Sequence, residues 1–376
     1  MLRLIVTLLT SLTIALISTP EVIKVITKNN VFDLPGGRKV HTELIPSMGG
    51  VGIFIAFLLS CCIWIPINSA IELRFLFFGI ILIFFMGVRD DMLAMSPRNK
   101  LIIQLIAATV VVGFGDIQIR SFYSLYENIN FPEWFSFATT VFIIIALTNA
   151  FNLIDGINGL AGAIAVIITA ALSTWFFLIG NHSYAIMMVA MLGGVLGFLY
   201  YNWGRATIFM GDTGSMILGF FLSCSLVLFI NTDYALPVDH AYKLPDAVSM
   251  AIALFIYPII DTLRVFTIRI LNGRSPFSPD RKHIHHIFIR TGFTHAATST
   301  IIASMSFLFL AVCYFANFYI HDLLLLACIL TALYVIPLLL KWRVYYYKNN
   351  KDEIAKKVLK QKAKESAKFK VERNVG

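Results

Sequence analysis

Charge is scarce in this sequence. Of its 376 residues, 58% are hydrophobic and only 14% are Asp, Glu, Lys or Arg. That is too little charge to coat a soluble chain of this length, so most of it must meet lipid. Cysteine is rare as well. Cys61, Cys62, Cys224, Cys313 and Cys328 all lie in apolar runs and form no CxxC. This excludes a disulfide framework or a thiolate metal cluster and leaves small core or lipid-facing side chains. No HExxH spacing occurs, and nothing reads as a nucleic-acid interface.

What is present is a series of long apolar runs. Eleven are about the length that crosses a bilayer as a helix: 2–19, 47–67, 73–88, 100–115, 134–151, 159–180, 184–203, 215–231, 247–269, 297–320 and 323–342. The expected fold is therefore an all-α polytopic membrane bundle. An integral domain would span 1–344, with a basic tail over 345–376. Basic residues set the orientation. With the N-terminus outside, only Arg3, Arg74, Arg120 and Lys243 stay outside and 26 of the 30 fall inside. Twelve of those 26 lie from Lys341 onward, and without them the split is still 14 to 4. The expectation is N-out, C-in. The first run carries one Arg, and Ser18-Thr19-Pro20 is a poor cleavage site, so it is read as a retained helix.

The unusual polar residues collect in the loops assigned to the inside. The first carries Arg38, Lys39 and His41 ahead of Gly49-Gly50; bases beside a helix start suit phosphate, and a positive-inside loop is the plainer reading. The third run ends in Asp90-Asp91, and adjacent carboxylates at a membrane edge are costly unless a cation relieves them. Ser96-Pro97 then begins a helix bearing Lys100, which either snorkels or meets phosphate. Asn149, Asn152 and Asp155 are spaced by three, on one side of a helix, and offer the hard oxygens that Mg²⁺ takes. Gly156, Gly159 and Gly162 share that spacing, as packing contacts. Asp212, between Gly211 and Gly214, opens the eighth run as a helix cap or a ligand. Pro258 should kink the ninth run, where Asp261 and Arg264 are placed for an ion pair. The last inside loop holds His283, His285 and His286 beside Arg274, Arg281 and Lys282, an anion site in preference to zinc. Carboxylates for a metal and bases for phosphates at one membrane edge describe phosphoryl transfer to or from a lipid.

In their order and wording these motifs resemble the polyprenyl-phosphate N-acetylhexosamine-1-phosphate transferases, which start O-antigen, enterobacterial common antigen and wall teichoic acid and include the peptidoglycan translocase. The matching segments run from Asp33 to about Phe288. The resemblance implies a Mg²⁺-dependent enzyme, with Mn²⁺ as a substitute, of the inner membrane with its site on the cytoplasmic face. Its partners would be undecaprenyl phosphate, a UDP-N-acetylhexosamine and the bilayer itself; a homodimer is compatible with a polytopic chain. It further implies Asp90 and Asp91 at the lipid phosphate, and Asp212 and Asn152 at the metal. Lys100, His283, His285 and His286 would hold the diphosphate, with Arg38, Lys39 and His41 near the phosphates and Asn149 and Asp155 positioning the nucleotide. The SPFSPDRKHIHH segment looks like the antigen and teichoic-acid branch, which implies UDP-N-acetylglucosamine as donor. One departure stands out: members usually carry DGxDG where this chain has Asp155-Gly156-Ile157-Asn158-Gly159. Asn keeps an oxygen, so activity is expected. A transporter, and a non-catalytic member of the family, are the rival readings. Transporters place their sites near the midplane, whereas here the polar clusters lie toward one face.

Overall fold

A computed structural model describes residues 1–28, 45–66, 71–121, 123, 130–276 and 282–320. Among these residues there are twelve helices: α1 (Leu2–Lys28), α2 (Gly50–Trp64), α3 (Ile71–Met92), α4 (Pro97–Phe114), α5 (Glu133–Ile154), α6 (Leu160–Leu178), α7 (His182–Asn202), α8 (Gly211–Ala235), α9 (Ala247–Leu254), α10 (Ile256–Leu271), α11 (Ile284–Arg290) and α12 (His295–Ala316). Helices or helix pairs occupy the first ten of the eleven expected runs. The run at 323–342, the tail, and Arg38, Lys39 and His41 lie outside the described residues. Among the described residues, seven helices are long and apolar enough to cross a membrane, or eight if α9 and α10 form one bent span.

Helix starts follow local chemistry. Ser96 Oγ accepts the Asn99 N–H, with Pro97 in the first turn of α4. Asn181 and Thr294 cap α7 and α12 in the same way.

Two prolines show how helices absorb a missing N–H. The first helix was expected to end at residue 19, but α1 runs through Pro20 to Lys28. Pro20 leaves the Leu16 carbonyl without its helical donor, and the Tyr201 hydroxyl of α7 donates to it at 2.9 Å. Pro258 has no such help. The carbonyl four residues before it belongs to Leu254, where α9 ends, and α10 departs at 72°.

The apolar stretch of α8 is buried throughout. It packs against α2, α3, α5, α6 and α9, so α8 is the axis of the bundle. Backbone approach is closest where α2 meets α8. A methyl on Gly50 would overlap the backbone of Gly214. Just before it, Gly49 and Gly50 donate to the carbonyls of Phe209 and Met210 at 2.8 and 3.0 Å, and the Phe209 N–H donates to Pro46 at 2.9 Å. These bonds fasten the start of α2 beside the start of α8, and with it one end of the bundle.

Candidate active site

At that end lies a cavity of about 520 Å³. Its lining includes Asp90, Asp91, Asn152, Asp155, Asp212 and His286. Lys100, reaching across from α4, stands between two carboxylates, 2.6 Å from Asp90 Oδ2 and 2.5 Å from Asp212 Oδ2. Asp90 Oδ1 accepts the Met95 N–H at 2.7 Å. Asn152 Nδ2 faces Asp212 Oδ1 at 3.4 Å and donates to Ser215 Oγ at 3.1 Å. Four segments distant in sequence therefore meet through Lys100, Asp90, Asp212 and Asn152.

Asp155 sits at the C-terminal end of α5 as its cap residue, outside the helix. Burial, then the nearby carboxylates of Asp212 and Asp91, push its carboxyl up to about 8. This repulsion within a cluster of hard oxygens is what a divalent cation relieves. Among the described residues no three His, Cys, Asp or Glu side chains are arranged to hold a metal alone. Mg²⁺ does not require that, because it binds through one or two carboxylates plus substrate phosphates. Asp212 with Asn152 fits such a donor set.

The other expected residues divide. Asp91 faces the start of α8: its Oδ1 accepts the Asp212 N–H at 2.9 Å, and its Oδ2 accepts from Thr213 N and Thr213 Oγ1 at 3.0 and 2.6 Å. Asn149 is not part of the cavity lining. Its amide donates to Gln104 Oε1 at 2.8 Å and to the Ile145 carbonyl, tying α5 to α4.

Of the three histidines, only His286 lines the cavity. His283 Nδ1 lies 2.7 Å from Asp261 Oδ2, and the Ile284 N–H donates to Asp261 Oδ1 at 2.7 Å. The Arg264 guanidinium donates to the Lys282 carbonyl at 2.6 Å. Asp261 and Arg264, expected as a pair with each other, thus both brace the histidine segment. His285 is 1% exposed, with Nδ1 at 3.4 Å from the Tyr257 hydroxyl. Its Nε2 abuts Gly156, where a methyl would overlap it. Burial holds His285 far below the usual imidazole range, at about 3, so this ring is neutral packing against the Asp155 loop.

Asn158 is explained by its surroundings. Its Nδ2 donates to the Gly204 carbonyl at 2.8 Å, a bond an ionised carboxylate cannot make. Its own carbonyl accepts from Ser299 Oγ at 2.8 Å, and its N–H points to His295 Nδ1 at 3.4 Å. One residue thus joins the α5–α6 loop, the α7–α8 loop and α12.

Two residues escaped notice in the sequence. Asn202, 5% exposed, accepts the Gly159 N–H and donates to the Ile208 carbonyl. Gln104 is a lone amide in an apolar run. The cost of a bare amide in lipid was a usable signal for both.

Comparison with known proteins shows the family. The family model described as glycosyl transferase family 4 matches residues 73–230, which carry Asp90 through Asp212. A Bacillus subtilis (strain 168) protein named probable undecaprenyl-phosphate N-acetylglucosaminyl 1-phosphate transferase is 33% identical over 312 residues, 82% of this chain and 84% of the relative. The Escherichia coli K12 protein named undecaprenyl-phosphate alpha-N-acetylglucosaminyl 1-phosphate transferase is 30% identical over 335 residues, 85% and 87% of the two chains. Its counterpart from Escherichia coli O157:H7 is 32% identical over 289 residues, 74% of each. With motifs, cavity and relatives in agreement, the chain belongs to glycosyl transferase family 4, among the polyprenyl-phosphate N-acetylhexosamine-1-phosphate transferases.

Proposed function

We propose that the protein transfers N-acetylglucosamine-1-phosphate from UDP-N-acetylglucosamine to undecaprenyl phosphate and releases UMP, the first membrane step of a cell-envelope glycan such as an O-antigen or a teichoic acid. The observation that carries this reading is the Lys100 ammonium held between Asp90 and Asp212, two carboxylates that line one cavity at the end of the bundle. Phosphoryl transfer needs positioning and charge neutralisation more than covalent help from the protein. The names of the relatives support undecaprenyl phosphate as acceptor and N-acetylglucosamine-1-phosphate as the group transferred.

An oxygen of the lipid phosphate attacks the β-phosphorus of the sugar nucleotide. The new pyrophosphate bond forms as the bond to UMP breaks. Asp90 stands beside the attacking phosphate, and Lys100 beside the charge that spreads over the equatorial oxygens. His286 donates to the diphosphate. The positive end of the α8 dipole points into the same space. Asp212 and Asn152 would hold Mg²⁺, or Mn²⁺ in its place, which neutralises the diphosphate when bound. Arg38, Lys39 and His41 keep the phosphate role that their motif implies. Asp90 is already engaged by an ammonium and an amide, which favours direct attack over an aspartyl-phosphate. The basic distribution supports an N-out, C-in chain of eleven spans in the inner membrane, with the cavity on the cytoplasmic face.

The test is UMP release by purified protein in detergent, given undecaprenyl phosphate, UDP-N-acetylglucosamine and Mg²⁺, with EDTA as control. UMP that requires both the lipid and the metal is expected. No UMP with any UDP-N-acetylhexosamine overturns the reading. Radiolabelled phosphate trapped on Asp90 overturns direct attack alone.

A further inference from the structure

The two adjacent aspartates that end α3 are read from sequence as one functional pair. The structure separates them. Both line the cavity, and of the two it is Asp90 that pairs with Lys100. Asp91 gives both oxygens to the first turn of α8, taking the N–H groups of Asp212 and Thr213 and the Thr213 hydroxyl.

We infer that Asp91 is a positioning residue: a helix cap supplied by α3 to α8, which sets where Asp212 stands. A helix start leaves its first N–H groups without acceptors unless a side chain or water provides them. The residue at the cap position of α8 is Met210, which has no oxygen to offer. Next comes Gly211 at φ +71°, where a side chain would be strained and where a methyl would lie 2.5 Å from Asp91 Oδ2. On the α3 side, Gly87 stands one turn before Asp91, and a methyl there would overlap Thr213. Glycines on both helices thus open the space that the Asp91 carboxylate fills. A carboxylate has about four lone-pair positions, and donors from α8 take three of those on Asp91. Because one of its bonds is to the Asp212 backbone itself, moving Asp91 moves the carboxylate that Lys100 and Asn152 contact.

The activity readout rests on the proposed transferase reaction, whereas the stability readout does not. An asparagine keeps one acceptor oxygen for one of the two α8 N–H groups and turns an NH₂ toward the other, so the role predicts partial rescue by the amide. In the UMP assay, Asp91→Asn should lose less turnover than Asp91→Ala and far less than Asp90→Asn, because it keeps one of the two acceptors. Asp91→Ala should lose about 50-fold in kcat, in line with the cost of a small misplacement in an active site. It should also need a higher Mg²⁺ concentration for half-maximal turnover. Asp90→Asn should be the most damaged of the three. In substrate-free detergent, thermal unfolding should be lowered most in Asp91→Ala and by less in Asp91→Asn.

Asp91→Asn as inactive as Asp90→Asn, yet unfolding at the unsubstituted temperature, would overturn the inference, because the charge itself would then be needed. So would Asp91→Ala matching the unsubstituted protein in both readouts. If Asp91→Ala does not fold, Asp91→Asn against Asp90→Asn decides the matter. If the unsubstituted protein releases no UMP, the proposed reaction fails, and the unfolding comparison still tests the cap.

Discussion

The two ends of α8 hold acidic side chains to different purposes. At its far end Asp233 is 3% exposed and accepts the Leu244 N–H at 2.9 Å. Nearby, Asp246 caps α9 through the Ser249 N–H at 3.0 Å, while its backbone exchanges two hydrogen bonds with the Asn317 amide. There, acids are matched to backbone donors. At the near end Asp90, Asp155 and Asp212 gather around one cavity with a single lysine between two of them. Burying carboxylates beside each other is costly, and the cost has no structural return unless a substrate or cation completes the site. What an acid's oxygens touch therefore separates fold from function better than its burial does. By that criterion Asp91, although at the near end, belongs with Asp233 and Asp246.

The sharpest way to break the comparison is to remove the charges that differ. Lys100→Met leaves Asp90 and Asp212 facing each other without their shared cation. Turnover should fall about 100- to 1,000-fold, the scale seen when a transition-state donor is deleted. Asp233→Asn, measured in the same UMP assay, should stay within about twofold of the parent if acids at the far end only serve the backbone. Equal losses at the two ends would erase the distinction.

Asn158→Asp comes next in size, and its outcome should depend on pH. The substitution restores the family's usual residue but sets a carboxylate against the Gly204 carbonyl that Asn158 now donates to. Asp155, Asp212 and His286, which line the cavity with it, and His295 on α12 are among the titratable groups around it. Activity relative to the parent should drop about tenfold at pH 8, the cost of one lost buried hydrogen bond. The gap should narrow as the pH falls, because a protonated carboxyl can again donate to Gly204. Asn158→Ala should be impaired at every pH. An Asn158→Asp protein more active than its parent at pH 8 would mean that the amide is a compromise and not a fastening.

Much of this was legible in the sequence and some was not, for physical reasons. Apolar runs reported helices because lipid demands them, and α2 through α8 fall where their runs predicted. Asp90, Lys100, Asn152 and Asp212 converged because each stands at a helix terminus at the same end of the bundle. Spacing, however, describes neighbours along one helix and is silent on what meets across helices. That Asp91 would cap α8, that Asn149 would pair with Gln104, and that His285 would pack on Gly156 all depend on such contacts. The proline rule likewise located the break before α10 but not the survival of α1, because the rescuing hydroxyl lies 185 residues away in sequence.

At the far end, Asp246→Ala should lower stability by about 1–2 kcal/mol, the usual cost of a lost cap, and leave turnover per folded molecule unchanged. Thermal unfolding together with the UMP assay separates the two effects. The smallest expected effect is at Tyr201. Its hydroxyl serves only the backbone, through the Leu16 carbonyl that Pro20 leaves without a donor, yet it sits on α7 next to Asn202 of the cavity wall. Tyr201→Phe keeps the ring and removes that one donor, so unfolding should move by about 1 kcal/mol and turnover should not change. Restoring a helical N–H with Pro20→Ala in the same protein should recover the loss, because residue 20 can then donate to Leu16 itself. If Tyr201→Phe instead lowers kcat without moving stability, a backbone-serving group near the cavity also serves the chemistry, and the division between the two ends would have to be drawn by distance from the cavity and not by what each side chain touches.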